Sequence, residues 1–124
     1  MVLGTYEDLD AWKAAHQMTL AVYRVTKMFP RDELFGLTSQ MRRAAVSIEA
    51  NLAEGFGRRS PREMLRYARI ADGSLQEVKC YIRLTRDLDY ISDDEHESLG
   101  QRAGRVGALI GGLQTHLGRR AAEA

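Results

Sequence analysis

Apolar residues recur along this chain at alternating spacings of three and four, in four separate runs. The first sets Ala11, Ala15, Met18, Val22, Val25 and Phe29 on one helical face and closes at Phe29-Pro30, because a residue before proline is pushed out of the helical region. The second carries Leu37, Met41, Ala44, Ile48 and Leu52, with Gly55-Phe-Gly57 as its expected stop. The third runs from Met64 through Ala68, Ala71, Leu75, Val78 and Ile82 to Thr85, and the fourth holds Leu99, Ala103, Val106, Ile110, Leu113 and Leu117. These seams predict helices over about 8–29, 37–55, 61–88 and 93–117, with 118–124 as a frayed tail. Short connections make neighbours antiparallel. An all-α, up-down-up-down four-helix bundle follows, one domain over 1–124.

Local capping signals agree with this pattern. Ser60-Pro61-Arg62-Glu63 reads as a capping box with proline at the first helical position, where no N–H is lost. Ser92-Asp-Asp-Glu95 repeats the device and sets acids against a positive helix end.

Two features exceed what one seam requires. Leu9, Trp12 and Tyr23 form a second stripe on the first helix, with His16 between them as a stripe residue whose nitrogen has a partner. Tyr67, Ile70, Tyr81, Leu84 and Leu88 form another on the third. Either each stripe is the wide face of a globular helix or it meets a second copy of the chain. The aromatic content favours the second copy, with Trp12, Tyr23, Tyr67, Ile70, Tyr81 and Leu84 as interface candidates. The fourth helix also carries Gly100, Gly104, Gly107 and Gly111 beside its seam. At ~1 kcal/mol each against alanine, four glycines weaken it by ~4 kcal/mol unless close helix approach offsets the loss. A tolerant surface helix is the alternative.

The 124 residues are 44% hydrophobic and 28% charged, ordinary for a globular domain able to bury a modest core. A formal net charge of +1 gives no global attraction to nucleic acid or membrane, so any such attraction must come from local segregation. The single cysteine, Cys80, excludes a disulfide framework and a cysteine-based zinc site. The opening Met1-Val-Leu-Gly-Thr-Tyr-Glu-Asp8 has no secretory apolar core, and no run nears the ~20 apolar residues of a membrane span. A cytoplasmic protein with no membrane association is expected.

Catalytic signals are poor. His16, His96 and His116 pair with no serine or cysteine in a nucleophile pattern. Asp93-Asp-Glu-His96 is the nearest approach to the Glu-x-x-His of di-metal bundles, but it falls in a first turn rather than mid-seam. Gly55-Phe-Gly57 follows a helix and lacks a third glycine, so it is no dinucleotide motif. The expectation is no enzyme, no cofactor and no metal.

Polar and basic residues are more informative. Gln40, Arg43, Ser47, Asn51 and Glu54 share one flank of the second helix, and Asn51 falls on the seam, where an amide needs partners and can set register. Arg43 and Glu54, eleven positions apart, are separated by roughly 16 Å along a helix, so Arg43 needs a carboxylate from elsewhere, with Glu77 as the candidate. The whole is read as a structural network. Between Arg42 and Arg69, seven basic residues against three acidic leave a local charge of +4, whereas Asp87–Glu97 holds six acids and no Lys or Arg. Arg58, Arg59, Arg62, Arg66 and Arg69 gather at the start and outer face of the third helix, a phosphate-backbone footprint whose plain alternative is a solvated arginine face.

The residues Tyr6-Glu-Asp-Leu-Asp-Ala-Trp12, Phe29-Pro, Glu33-Leu-Phe-Gly-Leu37, Gln40-Met-Arg-Arg-Ala-Ala-Val-Ser-Ile48, Asn51-Leu-Ala-Glu-Gly-Phe-Gly-Arg58 and Gly73-Ser-Leu together resemble a four-helix-bundle protein family. Its members include proteins encoded in intervening sequences of bacterial large-subunit ribosomal RNA genes, known as the S23 ribosomal protein family. The resemblance spans about residues 5–117. It implies an antiparallel bundle assembled as a ring, usually a pentamer. The chain is similar too to the accessory protein of diversity-generating retroelements, a basic pentameric barrel that binds nucleic acid and a reverse transcriptase. The family's Ser-Ile-Pro-Ser-Asn stands here as Ser47-Ile-Glu-Ala-Asn51, with Glu49 for a helix-bending proline. The expected function is a homopentameric scaffold subunit that binds nucleic acid or an RNP through its basic face. The alternative is a protein-interaction adaptor without nucleic-acid affinity. Expected partners are further copies of the chain, RNA or DNA, and a reverse transcriptase or other protein.

Overall fold

The computed structural model describes residues 4–123, so Met1–Leu3 of the opening segment and Ala124 of the expected tail lie outside it. Four long helices, α1 (Asp10–Thr26), α2 (Ser39–Gly57), α3 (Pro61–Asp87) and α4 (Asp93–Glu123), make up the chain, with no strand among the described residues. A short 3-10 turn, Tyr6–Asp8, leads into α1. Each helix packs on the next, and α1 packs on α4 to close the bundle.

Neighbours run antiparallel, as the pairs at each seam show. Thr19 meets Ala45 and His16 meets Glu49 between α1 and α2, while Ser47 meets Ser74 and Gly55 meets Tyr67 between α2 and α3. Of the residues in the four apolar seams, only Val25 and Leu113 are less than fully buried. Burial at this level makes truncation of Ile48, Leu52 or Leu75 to alanine cost about 2–5 kcal/mol. Buried hydroxyls return to backbone carbonyls: Thr85 donates to Ile82 at 3.1 Å and Thr19 to Ala15 at 3.0 Å.

The connection between α1 and α2 is a 3-10 turn, Arg31–Glu33, followed by a wide π turn, Leu34–Thr38, that kinks at Gly36. Glu33 governs this corner. Its Oε1 accepts from the Leu37 N–H at 3.4 Å and its Oε2 accepts from the Tyr90 hydroxyl at 2.9 Å, joining the α1–α2 corner to the α3–α4 corner. Gly36 takes a non-helical conformation at φ −108°, ψ −112°, and a Cβ there would lie 3.0 Å from that carboxylate.

Three local expectations are corrected. The segment expected to fray stays helical to Glu123, its glycine notwithstanding. Gly55 does not end α2: it lies inside the helix and buried, where an added Cβ would sit 2.7 Å from Tyr67 Cβ. The left-handed residue that turns the chain after α2 is instead Arg59, at φ 57°. At Ser60 the capping box is half formed. The hydroxyl takes the Glu63 N–H at 3.3 Å, but the Glu63 carboxylate holds Arg66. At Ser92 both halves form, at 2.8 and 3.1 Å.

Candidate nucleic-acid interface

The corner between α2 and α3 brings the five predicted arginines to one exposed region. Arg58 caps α2, Arg59 makes the turn, and Arg62, Arg66 and Arg69 follow at helical spacing on the outer face of α3. Tyr67 organises two of them. It is 7% exposed, seated against Gly55 where only glycine leaves room for its Cβ. Arg58 donates to the Tyr67 hydroxyl at 2.9 Å and to Glu54 at 3.2 Å, and Tyr67 donates to the same Glu54 oxygen at 3.3 Å. Arg66 lies over the Tyr67 ring at 4.6 Å and pairs with Glu63 at 3.4 Å. The hydrogen bond to Tyr67, then that to Glu54, holds the Arg58 guanidinium above its ordinary value, and Glu63 does the same for Arg66. Both are fixed positive charges, partly balanced by their glutamates. None of the ion pairs among the described residues takes up Arg59, Arg62 or Arg69. Those three are the cations most available to a phosphate.

The predicted polar network forms only in part. Ser47 Oγ lies 2.9 Å from Ser74 Oγ, and Asn51 Nδ2 donates to the Ser47 carbonyl at 2.8 Å and hydroxyl at 3.0 Å. Asn51 is thus satisfied within its own helix. Glu54 belongs to the Tyr67 cluster instead. Gln40, Arg43 and Glu77 are exposed, and no Arg43–Glu77 ion pair forms among the described residues. Arg43 lines a groove on the outer face of α2, while Ser74, not Glu77, is the α3 residue turned into the α2–α3 seam. Residue spacing placed both charges at a similar height and missed that they look away from each other.

Two further features escaped the sequence reading: which residue partners His16, and an exposed apolar pair at the α1–α2 corner. His16 Nδ1 lies 3.0 Å from Glu49 Oε2, and its ring stacks on Trp12 at 4.8 Å. The glutamate at the position of the family proline therefore ties α1 to α2. Phe35 is 91% exposed and Met28 83%, both at the α1–α2 corner. Interrupted periodicity there gave no signal, because neither belongs to a helical stripe. Of the interface candidates, Tyr23, Ile70 and Leu84 are exposed, whereas Trp12 and Tyr81 are half-buried against the core. Tyr67 is corrected: its burial by Gly55 and its bonds to Arg58 and Glu54 occupy it inside the chain. Among the described residues no three His, Cys, Asp or Glu gather as a metal-binding group. No helix of the described residues is long and apolar enough to cross a membrane.

A family model described as 23S rRNA-intervening sequence protein matches residues 7–112. The chain belongs to that family. A crystal structure at 1.70 Å of a protein of unknown function from the S23 ribosomal protein family of Bacteroides thetaiotaomicron VPI-5482 is similar in fold, with a TM-score of 0.77 at 18% identity over 85% of this chain and 95% of that one. No curated protein matches the chain.

The matched stretch includes the arginine corner and the Glu33–Tyr90 contact but not the last turns of α4. It also includes an open groove of about 630 Å³ on the outer face of α2. Tyr23, Leu34, Phe35 and Val46 supply its apolar lining, and Arg42 and Arg43 its charge. Arg42 donates from Nε to Thr26 Oγ1 at 2.7 Å and lies over the Tyr23 ring at 4.6 Å, so its guanidinium is fixed at the groove without a carboxylate.

Proposed function

We propose that this protein is a non-catalytic scaffold subunit of a ring-shaped homopentamer that binds nucleic acid, free or within an RNP, through the α2–α3 arginine corner. Three arginines carry the reading: Arg59, Arg62 and Arg69 are exposed together and enter none of the ion pairs among the described residues, on a chain whose net charge is only +1. One subunit's corner is small. A ring repeats it around an axis and sums it into a basic rim, where phosphate contacts and counterion release accumulate. The family description, which refers to an intervening sequence of 23S rRNA, makes a structured 23S rRNA fragment the first ligand to try.

The groove on α2 supports the assembly. An exposed Phe35 beside Tyr23, Leu34 and Val46, with Arg42 and Arg43 at the edge, has the aromatic and arginine character of a protein contact. The exposed Leu84 and Leu88 flank Asp87 at the end of α3 and offer a complementary apolar and acidic edge on a neighbouring copy. Light scattering on Phe35→Asp should show loss of the oligomer. An unchanged mass would favour the second reading, an adaptor that holds a different protein on this face. The nucleic-acid role is tested by an Arg59→Gln/Arg62→Gln/Arg69→Gln variant, which breaks no ion pair in the subunit. It should keep its assembly state and lose affinity for labelled RNA at low salt. Undiminished affinity would remove the corner from the reading.

A further inference from the structure

The groove between α1 and α4 gathers cations from two helices. It encloses about 260 Å³ and is lined by Asp10, Lys13, Ala14 and Gln17 of α1 and by Arg102 and Arg105 of α4. Lys13 and Gln17 stand one turn apart, as do Arg102 and Arg105, and antiparallel packing sets the two pairs facing each other. Ala14 between them keeps the floor low. Four arginines elsewhere are taken up, Arg58 by Glu54, Arg66 by Glu63, Arg83 by Asp87 and Arg86 by Asp93, whereas Arg59, Arg62 and Arg69 of the α2–α3 corner are not. Around this groove, none of the ion pairs among the described residues uses Lys13, Arg102 or Arg105, although Arg102 is partly buried. Asp10 is the groove's one carboxylate, and it sits in the first turn of α1, where the helix end offsets its charge.

Three cations converging on one cleft repel one another, and an oxyanion between them turns that repulsion into charge-assisted hydrogen bonds. Two guanidinium forks on one side, with an ammonium and an amide on the other, suit the tetrahedral oxygens of phosphate better than a single planar carboxylate. The volume lies below the range of about 300–1,000 Å³ for drug-sized ligands, so the occupant is compact. We propose that this groove is a phosphoryl-anion site, sized for a diphosphate unit, whether free or as neighbouring phosphates of a polynucleotide. It shares no residue with the arginine corner, so the two stand or fall separately.

The test is calorimetric titration of the intact protein with inorganic diphosphate, with acetate at matched ionic strength as the control. Saturable binding of diphosphate is expected, weakened about tenfold or more in Arg102→Gln/Arg105→Gln and unchanged in Arg120→Gln, at an exposed position near the end of α4. Should the double variant fold poorly by circular dichroism, Lys13→Gln, at an exposed position, must weaken binding in the same direction. A labelled oligonucleotide forms the second arm. Affinity lost there in parallel identifies backbone phosphates as the source, and affinity retained identifies a free anion. Absence of saturable diphosphate binding, or binding that none of the groove variants alters, overturns the proposal.

Discussion

At Arg59 the backbone adopts a conformation that glycine reaches without steric cost. Arg59→Gly should therefore stabilise the subunit by about 0.5–1 kcal/mol in urea unfolding while weakening RNA binding. A variant that is less stable would mean that the Arg59 side chain, over Phe56 at 5.4 Å, contributes more than its backbone costs. Gly55→Ala should do the opposite. Its methyl would lie 2.7 Å from Tyr67 Cβ and 2.8 Å from Met64 Sδ, and overpacking of this kind costs about 1–3 kcal/mol. The two positions explain what the sequence withheld. Gly55-Phe-Gly57 carries the composition of a helix stop, yet its first glycine serves a tyrosine twelve residues on, a contact visible only once α3 folds back. Tyr90 gives a pH test. Its hydrogen bond to Glu33, then burial, holds the phenol above its ordinary value of about 10. A raised acid is neutral in the folded state, so the Glu33–Tyr90 clasp contributes fully below about pH 10 and is lost as pH climbs through the raised value. Wild type should be more stable than Tyr90→Phe at pH 8, and the gap should close at strongly alkaline pH. A gap that persists there would mean that the hydrogen bond to Glu33 is not its source.

The elements were the most legible level, since the three-four spacing of apolar residues names most of the buried positions of the four helices and misses chiefly small or polar ones such as Thr19, Ala45 and Ser74. Caps were legible where the motif is self-contained, as at Ser92-Asp-Asp-Glu95, and less so at Ser60, where Arg66 competes for Glu63. The glycines of α4 resisted reading. Gly100, Gly104 and Gly111 face open space, so close approach inside the subunit does not explain them, and only Gly107 meets a side chain of another helix, Leu75 at 3.4 Å. Gly100→Ala and Gly104→Ala should each stabilise the subunit by about 1 kcal/mol by thermal unfolding. A destabilised or dissociated variant would instead mean that another copy approaches this face.

For the whole molecule, charge decides more than shape. A bundle of this kind is compatible with many functions, and its architecture alone selects none of them. The basic segment could be counted from the sequence, but not which arginines are bound to carboxylates. Arg58 and Arg66 turned out to be engaged and Arg59, Arg62 and Arg69 open, because a partner depends on side-chain direction and not on local net charge. The exposed Phe35 was equally hidden, since a residue in a π turn has no helical period to betray it. The most direct measurement is the affinity of the purified protein for a structured ribosomal RNA fragment by fluorescence anisotropy, titrated between roughly 50 and 200 mM salt. Binding through the arginine corner predicts a log–log slope of about −3 or steeper, which flattens in Arg59→Gln/Arg62→Gln/Arg69→Gln. Salt-independent binding, or none at the lowest salt with the oligomer intact, would contradict it and leave the Phe35 groove as the working surface.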